Sequence, residues 1–245
     1  MKDELGNRMK EFYEDRTRYF LPRRTYTIIR IDGKAFHSFT KIFKRPFDDN
    51  FVEMMNKTAI ALCKEIQGVK LAFVQSDEIS LVLTDFDDVK TCAWLDGNIQ
   101  KMVSVSASIA TAEFNKLHLE YVVSPNLLRS TDLAKFDSRV FTIPEKHEVI
   151  NYLIWRQKDA TKNSISSVAY SLYSNKELHG KNSDQKQEMI FQKGINWNYL
   201  DPMLKRGRVI VKEKYEKDGV ERSHWVVKTP PVFTQNKEFL EKILP

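Results

Sequence analysis

Between residues 25 and 84 the chain twice runs an apolar β-type segment into acid. Ile28-Ile29-Arg30-Ile31 leads into Asp32-Gly33, and Leu71-Ala72-Phe73-Val74 leads through Gln75 into Ser76-Asp77-Glu78. Short runs rich in β-branched and aromatic residues favour strands. If the two runs pair in one sheet, Asp32 and Asp77 share a single edge of it. Two carboxylates on rigid neighbouring strands can hold hard cations, and hard cations hold triphosphates.

The surrounding elements are consistent with that pairing. Residues 3–19 read as one amphipathic helix, capped by Asp3, with Leu5, Met9, Phe12 and Arg16 on one face. Residues 26–31 form a strand whose near-continuous apolar character predicts burial on both faces. Phe36, Phe39 and Phe43 follow at spacings of three and four, a short aromatic stripe expected in the core, interleaved with Lys41, Lys44 and Arg45. Asp48, Asp49 or Asn50 can cap the next helix. Its buried side carries Phe51, Met54, Thr58, Leu62 and Ile66, and Gly68 ends it. Residues 69–75 and 79–84 then flank Ser76-Asp77-Glu78 as a hairpin. Such a tip is commonly only a solvated turn; the acidic strand end upstream singles this one out.

Asp96-Gly97-Asn98 precedes a helix over residues 99–117, rich in small side chains such as Ser104, Ser106, Ala107 and Ala110, and so able to lie close on a sheet. Lys101 in its first turn opposes the helix dipole, a hint of an anion nearby. Residues 138–143 read as a fourth strand, and Pro144 begins a helix carrying Val149, Tyr152, Leu153 and Trp155. The order strand, helix, strand, strand, helix, strand is the split βαβ or ferredoxin-like arrangement of an α+β fold. It implies a four-stranded antiparallel sheet with helices on one face and the first and third strands adjacent. Beyond it, residues 163–173 and 183–192 read as helices, and 207–215 and 220–227 as a hairpin around Asp218-Gly219. The expected organisation is a catalytic domain over residues 1–145 and a helical and hairpin part over 146–245 packed on it as one continuous unit.

A chain of 245 residues is long enough for a full hydrophobic core. Its formal net charge of +6 favours a polyanionic partner over an acidic one. Cys63 and Cys92 stand far apart, without a CxxC or Cys/His grouping, which argues against a zinc site or disulfide framework. The N-terminus is too charged for a signal peptide, and no run of about 18 apolar residues is present to span a membrane, so a cytoplasmic protein with no membrane partner is expected. P-loop, GxGxxG, GxSxG and HExxH motifs are lacking. The five histidines do not cluster, and only His37 sits beside the acidic edge. Gly33 lets a backbone carbonyl reach a metal or a phosphate approach closely. The segment Lys34 to His37 then lies where a triphosphate would run, with Lys34 and Lys101 as candidates for neutralising phosphate charge.

On spacing alone, paired acids lean only toward metal-dependent phosphoryl transfer. Arg30-Ile31-Asp32-Gly33-Lys34-Ala35-Phe36-His37-Ser38-Phe39, with Gln75-Ser76-Asp77-Glu78-Ile79-Ser80 downstream, resembles the tRNA-His guanylyltransferase family of 3′–5′ polymerases. Phe136-Asp137-Ser138-Arg139, Trp155-Arg156-Gln157-Lys158-Asp159 and Asn163-Ser164 match in the same order, so the resemblance runs from about residue 25 to about residue 211. It implies a palm-like catalytic domain related to conventional polymerases. It also implies a pair of magnesium ions on Asp32, Asp77 and the Gly33 carbonyl, with ATP and GTP or other nucleoside triphosphates as substrates. The nucleotide would lie along Asp32, Gly33, Lys34, Ala35, Phe36 and His37, with Ser76 nearby, Glu78 supporting the acids and Lys101 near the triphosphate. Lys44, Arg45, Arg139, Arg156, Gln157, Asp159 and Asn163 would serve the RNA end or the active site. The resemblance further implies a homotetramer with tRNA bound across subunits.

Eukaryotic members carry a His-Ile-Asn-Asn-Leu-Tyr-Asn pattern after Trp-Arg-Gln, where this chain reads Thr161-Lys162-Asn163-Ser164-Ile165-Ser166-Ser167. The run Lys176-Glu177-Leu178-His179-Gly180-Lys181-Asn182 instead resembles the bacterial and archaeal guanylyltransferase-like branch, which is associated with templated repair of 5′-truncated tRNAs. Two other readings stay open on the residues: a non-catalytic RNA-binding module on the same fold, and a palm-fold nucleotidyl cyclase or short-RNA polymerase.

Overall fold

The computed structural model describes residues 3–122 and 132–245. Its centre is a six-stranded antiparallel sheet in the order β4-β1-β3-β2-β5-β6. The strands are β1 (Tyr26–Gly33), β2 (Val69–Gln75), β3 (Glu78–Leu83), β4 (Phe136–Ile143), β5 (Arg208–Lys217) and β6 (Val220–Lys228). The first four have the expected ferredoxin-like order, with β1 and β3 adjacent. The hairpin β5–β6 continues the same sheet, because residues 208–211 pair with β2.

The two helices of the ferredoxin-like unit share one face of the sheet, as expected, and a helix of the C-terminal part covers the other. On one side lie α3 (Asp49–Glu65) and α4 (Ile99–Val122), packed over Ile29, Ile31, Ala72, Val74, Leu81 and Ile210. On the other lies α5 (Lys146–Leu172), whose Val149, Tyr152 and Leu153 meet Ile28, Leu71, Phe73, Val82 and Val209, joined by Phe233, Leu240 and Leu244 from the C-terminal segment. Two covered faces explain why β1 is apolar almost without interruption. The α5 helix is one continuous element of 27 residues, so the stretch over residues 163–173 is its second half rather than a separate helix.

The helix predicted over residues 3–19 is broken. It is α-helical only as α1 (Glu4–Met9), then π-helical over Lys10–Glu14 and 3-10 over Asp15–Thr17. Asp3 caps it by accepting from the Gly6 amide. Its apolar stripe is not buried among the described residues: Leu5, Met9 and Phe12 are all exposed. Helices take most of their regularity from tertiary packing, and this one has little.

The aromatic stripe is core. Phe36 and Phe39 lie on α2 (Phe36–Phe39) and Phe43 follows one 3-10 turn later. Phe36 packs within 4.9 Å of Phe136 and 5.7 Å of Phe114, ring centre to ring centre. Asp48 begins α3, accepting from the amides of Asn50 and Phe51, and Met54, Thr58, Leu62 and Ile66 are buried as the periodicity requires.

Candidate active site

The register of the sheet assembles the acids. Asp32 on β1 is the direct Cα partner of Glu78 on β3 and of Asp137 on β4. Residues two apart in a strand share a face. Asp32 therefore stands on the α5 side with Ile28 and Arg30, and Glu78 on the same side with Ser80 and Val82. Asp77 occupies the two-residue tip between Gln75 and Glu78, where Ser76 adopts a left-handed backbone (φ 46°). The amide of Gly33 donates to the Asp77 carbonyl at 3.2 Å, tying the end of β1 to that tip.

The three neighbouring carboxylates are not equivalent. Glu78 is buried and held by a two-pronged pair with Arg156 of α5: Nε donates to Oε1 at 2.7 Å and Nη2 to Oε2 at 2.5 Å. Nη2 also donates to Asp159 at 2.8 Å. Glu78 is thereby neutralised within the protein. Asp32 and Asp77 pair with no lysine or arginine among the described residues. Burial pushes the Asp77 carboxyl up to about 6, and the charges of Asp32 and Glu78 push the same way, against a hydrogen bond from Ser76. Two mutually repelling, uncompensated carboxylates beside a free strand end form a donor set that fits a hard divalent cation. Among the described residues no group of three or more His, Cys, Asp or Glu converges as a complete cage. Magnesium does not require one, since it is held by one or two carboxylates plus water and substrate phosphate.

Gly33 is shaped for its place. A Cβ there would lie 2.3 Å from the Phe36 ring, so only glycine lets that ring tuck beneath the strand end. Ala35 is left-handed (φ 58°), turning residues 34–37 sharply across the edge. An L residue held there stores about 1–2 kcal/mol of strain. Of the residues in this turn, Lys34 and His37 are exposed, while Phe36 is 3% exposed and can serve a ligand only through its backbone.

Beside the acidic edge opens a cavity of about 540 Å³, ordinary for a nucleotide-sized ligand. His37, Ser76, Lys44, Arg45 and Asn163 line it, so the structure gathers these expected residues around one space. Asn163 also faces Gln75 at 3.5 Å and Asp159 at 3.4 Å, and Gln75 donates to Asp159 at 3.3 Å, linking the cavity wall through Asp159 to the Arg156–Glu78 pair.

Other expected residues lie elsewhere. Gln157 is a structural anchor: its Nε2 donates to the Pro231 carbonyl and its Oε1 accepts from the Phe233 amide, both at 2.8 Å. Arg139 is exposed on β4 beside Asp137. Lys101 is exposed in the first turn of α4. Thr111 of that helix meets the amide of Phe136, the partner of Gly33, and Lys101 lies about 15 Å before Thr111 along the helix axis. Thr161 turns its hydroxyl onto the Gln157 carbonyl of its own helix at 3.1 Å. Sequence reading missed Gln75, Asp48 and Arg208, which also line the cavity. The only signal for Arg208 is a charge at the head of an apolar strand run, Gly207-Arg208-Val209-Ile210-Val211.

A family model described as tRNAHis guanylyltransferase matches residues 6–144. A probable tRNA(His) guanylyltransferase of Dictyostelium discoideum is 31% identical over 82% of this chain and 80% of its own length. Among solved structures, a bacterial tRNA(His) guanylyltransferase (Thg1)-like protein in complex with ATP is 41% identical, covers 99% of both chains and superposes with a TM-score of 0.89. Such a protein in complex with GTP is also 41% identical, covers 98% of this chain and 99% of its own, and has a TM-score of 0.84.

Proposed function

The chain belongs to the tRNAHis guanylyltransferase family, and from that premise we propose that it is a magnesium-dependent enzyme extending tRNA 5′ ends in the 3′–5′ direction, templated by the opposite strand. The observation that carries the proposal is the convergence of Asp32 and Asp77, uncompensated, at one sheet edge beside a nucleotide-sized cavity.

In this reading Asp32, Asp77 and the Gly33 carbonyl hold two magnesium ions. When bound, the metals supply Lewis acidity toward phosphate and lower the pKa of an attacking hydroxyl. Asp32 and Asp77 orient the triphosphate, and the turn from Lys34 to His37 lies along it. Lys44 and Arg45 offset phosphate charge from the cavity rim. Glu78 and Arg156 are positioning residues: their pair fixes the β3 end from which Asp77 projects, and Arg156 in turn sets Asp159. A 5′-monophosphate end first attacks the α-phosphate of ATP, releasing pyrophosphate and leaving a 5′-adenylylated RNA. The 3′-hydroxyl of the incoming nucleotide then attacks the RNA phosphate and AMP departs.

The nearness to a bacterial Thg1-like protein over almost the whole chain supports repair of truncated tRNAs as the activity, with addition of G to tRNA(His) as one case. The apolar residues exposed along residues 5–13 support assembly into a homotetramer, and the reaction is placed in the cytoplasm. Among the described residues no helix is long and apolar enough to cross a membrane. The test is extension of a 5′-truncated, 5′-labelled tRNA with ATP, GTP and magnesium. The proposal expects products lengthened by the templated nucleotide with wild type and loss of at least about a hundredfold with Asp77→Ala. No product with wild type, or full product with the variant, rejects it.

A further inference from the structure

We infer that the exposed indole of Trp155 is a stacking platform for the terminal base of the accepting RNA strand, on the side of the acidic edge away from the nucleotide-sized cavity. The inference rests on reading that edge as the site of nucleotide transfer.

Trp155 precedes Arg156 on α5 and is 52% exposed. Its ring is nonetheless held. The Arg156 guanidinium lies over it at 4.4 Å from the ring centre and that of Arg30 at 5.8 Å, while the Tyr152 ring meets it edge-on at 5.8 Å. Arg156 is itself buried and clamped by Glu78. Cation–π contact with a fixed guanidinium orients the indole and leaves its open surface outward. A single exposed aromatic is ordinary on a protein surface. What sets this one apart is its neighbours.

Arg30 is the direct Cα partner of Arg139 across β1 and β4, as Asp32 is of Asp137. Directly opposite residues share a face of the sheet. Here it is the α5 face, since Phe141, two residues along from Arg139, packs its ring 5.7 Å from that of Tyr152. Like charges placed directly opposite destabilise a sheet. Among the described residues Arg30 forms no ion pair, and Arg139 has only an exposed one, to Asp137 at 3.2 Å. An anion lying against the two guanidinia relieves their repulsion. Asp32 stands two residues from Arg30, about 7 Å along the strand. An open aromatic ring, a pair of arginines and an acid of the proposed metal site thus follow one another on one face. That set suits the end of a nucleic acid strand, with a base on the ring and backbone phosphate on the arginines.

Placement separates this strand from the incoming nucleotide. The cavity meets α5 at Ala160, Asn163, Ser164 and Ser167, and the sheet at Gln75 and Arg208, on β2 and β5. Trp155 lies eight residues before Asn163, about 12 Å along the helix axis, beside β1 and its neighbour β4. Asp32 at the end of β1 and Asp77 at the β2–β3 tip stand between the two. A triphosphate reaching the acids from the cavity leaves the Trp155 side as the approach for the RNA 5′ end.

The test is RNA binding by the full chain, followed by fluorescence anisotropy. Two 5′-truncated tRNAs are compared, alike in their 5′-monophosphate and differing only in whether the first nucleotide carries a base. Wild type is expected to bind the abasic end about tenfold more weakly. Trp155→Leu is expected to shrink that difference to about twofold or less, and Trp155→Phe, which keeps a ring, to retain most of it, with ATP affinity as in wild type for both. The wild-type comparison needs no variant, so a misfolded Trp155→Leu does not blunt the test. Absence of base dependence in wild type overturns the inference. So does a Trp155→Leu chain that keeps the full difference, or one that loses ATP and RNA binding in parallel, which would make the ring a purely structural residue. Unchanged RNA affinity with an altered oligomeric mass in Trp155→Leu would assign the ring to a contact between copies and overturn it too. Failure of wild type to extend any truncated tRNA would instead strike the functional reading beneath.

Discussion

The Glu78–Arg156 pair makes an asymmetric prediction. Both side chains are almost fully buried, at 10% and 6% exposure, and they meet through two hydrogen bonds. Removing one member of a buried pair typically costs about 3–5 kcal/mol, because the other is left charged and unpaired. Here the two members differ in what remains. Arg156→Met strands Glu78, whose other contact is a long one to Ser80 at 3.4 Å, and leaves Asp159 only its long contacts to Gln75 and Asn163. It should cost the full amount, about 3–5 kcal/mol. Glu78→Gln leaves Arg156 its bond to the half-exposed Asp159. It should cost only about 1.5–3 kcal/mol, the scale of a charged hydrogen bond. The double variant removes the stranded charge and should cost less than the sum, by a coupling of about 1–3 kcal/mol. Urea unfolding followed by far-UV circular dichroism, on wild type and the three variants, measures each value. Additive costs, or a Glu78→Gln loss equal to that of Arg156→Met, would refute the idea that this pair neutralises Glu78 and leaves only Asp32 and Asp77 for cations.

Two further outcomes follow from the same edge. Gly33→Ala forces a methyl into the Phe36 ring, which is wedged against Phe114 and Phe136; it should destabilise by about 1–3 kcal/mol and raise the KM for nucleotide, and an unchanged midpoint and KM would show that the 34–37 turn can slide freely. Asp77 has a folded pKa of about 6 against 3.8 unfolded, so the native state binds the proton more tightly. Its contribution to stability is full below 3.8 and is lost as pH rises through about 6. Metal-free wild type should accordingly gain stability from pH 7 to pH 5 relative to Asp77→Asn, with magnesium affinity falling over the same range; parallel pH profiles for the two proteins would contradict this.

Local chemistry made much of the site legible in the sequence. Apolar runs ending in acid and a Ser-Asp tip mark strand ends wherever they occur, and strand order alone then places β1 beside β3. Long-range partnerships were not legible. Arg156 reaches Glu78 across 78 positions, and no local pattern distinguishes it from Gln157, which faces the other way and secures the Pro231–Phe233 backbone. The helix α5 reads as two pieces because its polar second half continues a helix whose first half is core, and its place on the opposite face of the sheet depends on a tail, with Phe233 and Leu240, far along the chain. Arg208 was hidden because a lone charge at the head of an apolar strand run carries no local sign that it will be buried against α3 and a cavity.

The central claim is that acids from two strand ends grip divalent ions against a nucleotide. Counting bound manganese by electron paramagnetic resonance, in the presence of a non-hydrolysable GTP analogue, tests it directly. Two ions per chain are predicted for wild type, with loss of at least one in Asp32→Asn and in Asp77→Asn. An unchanged count in both variants would contradict the account.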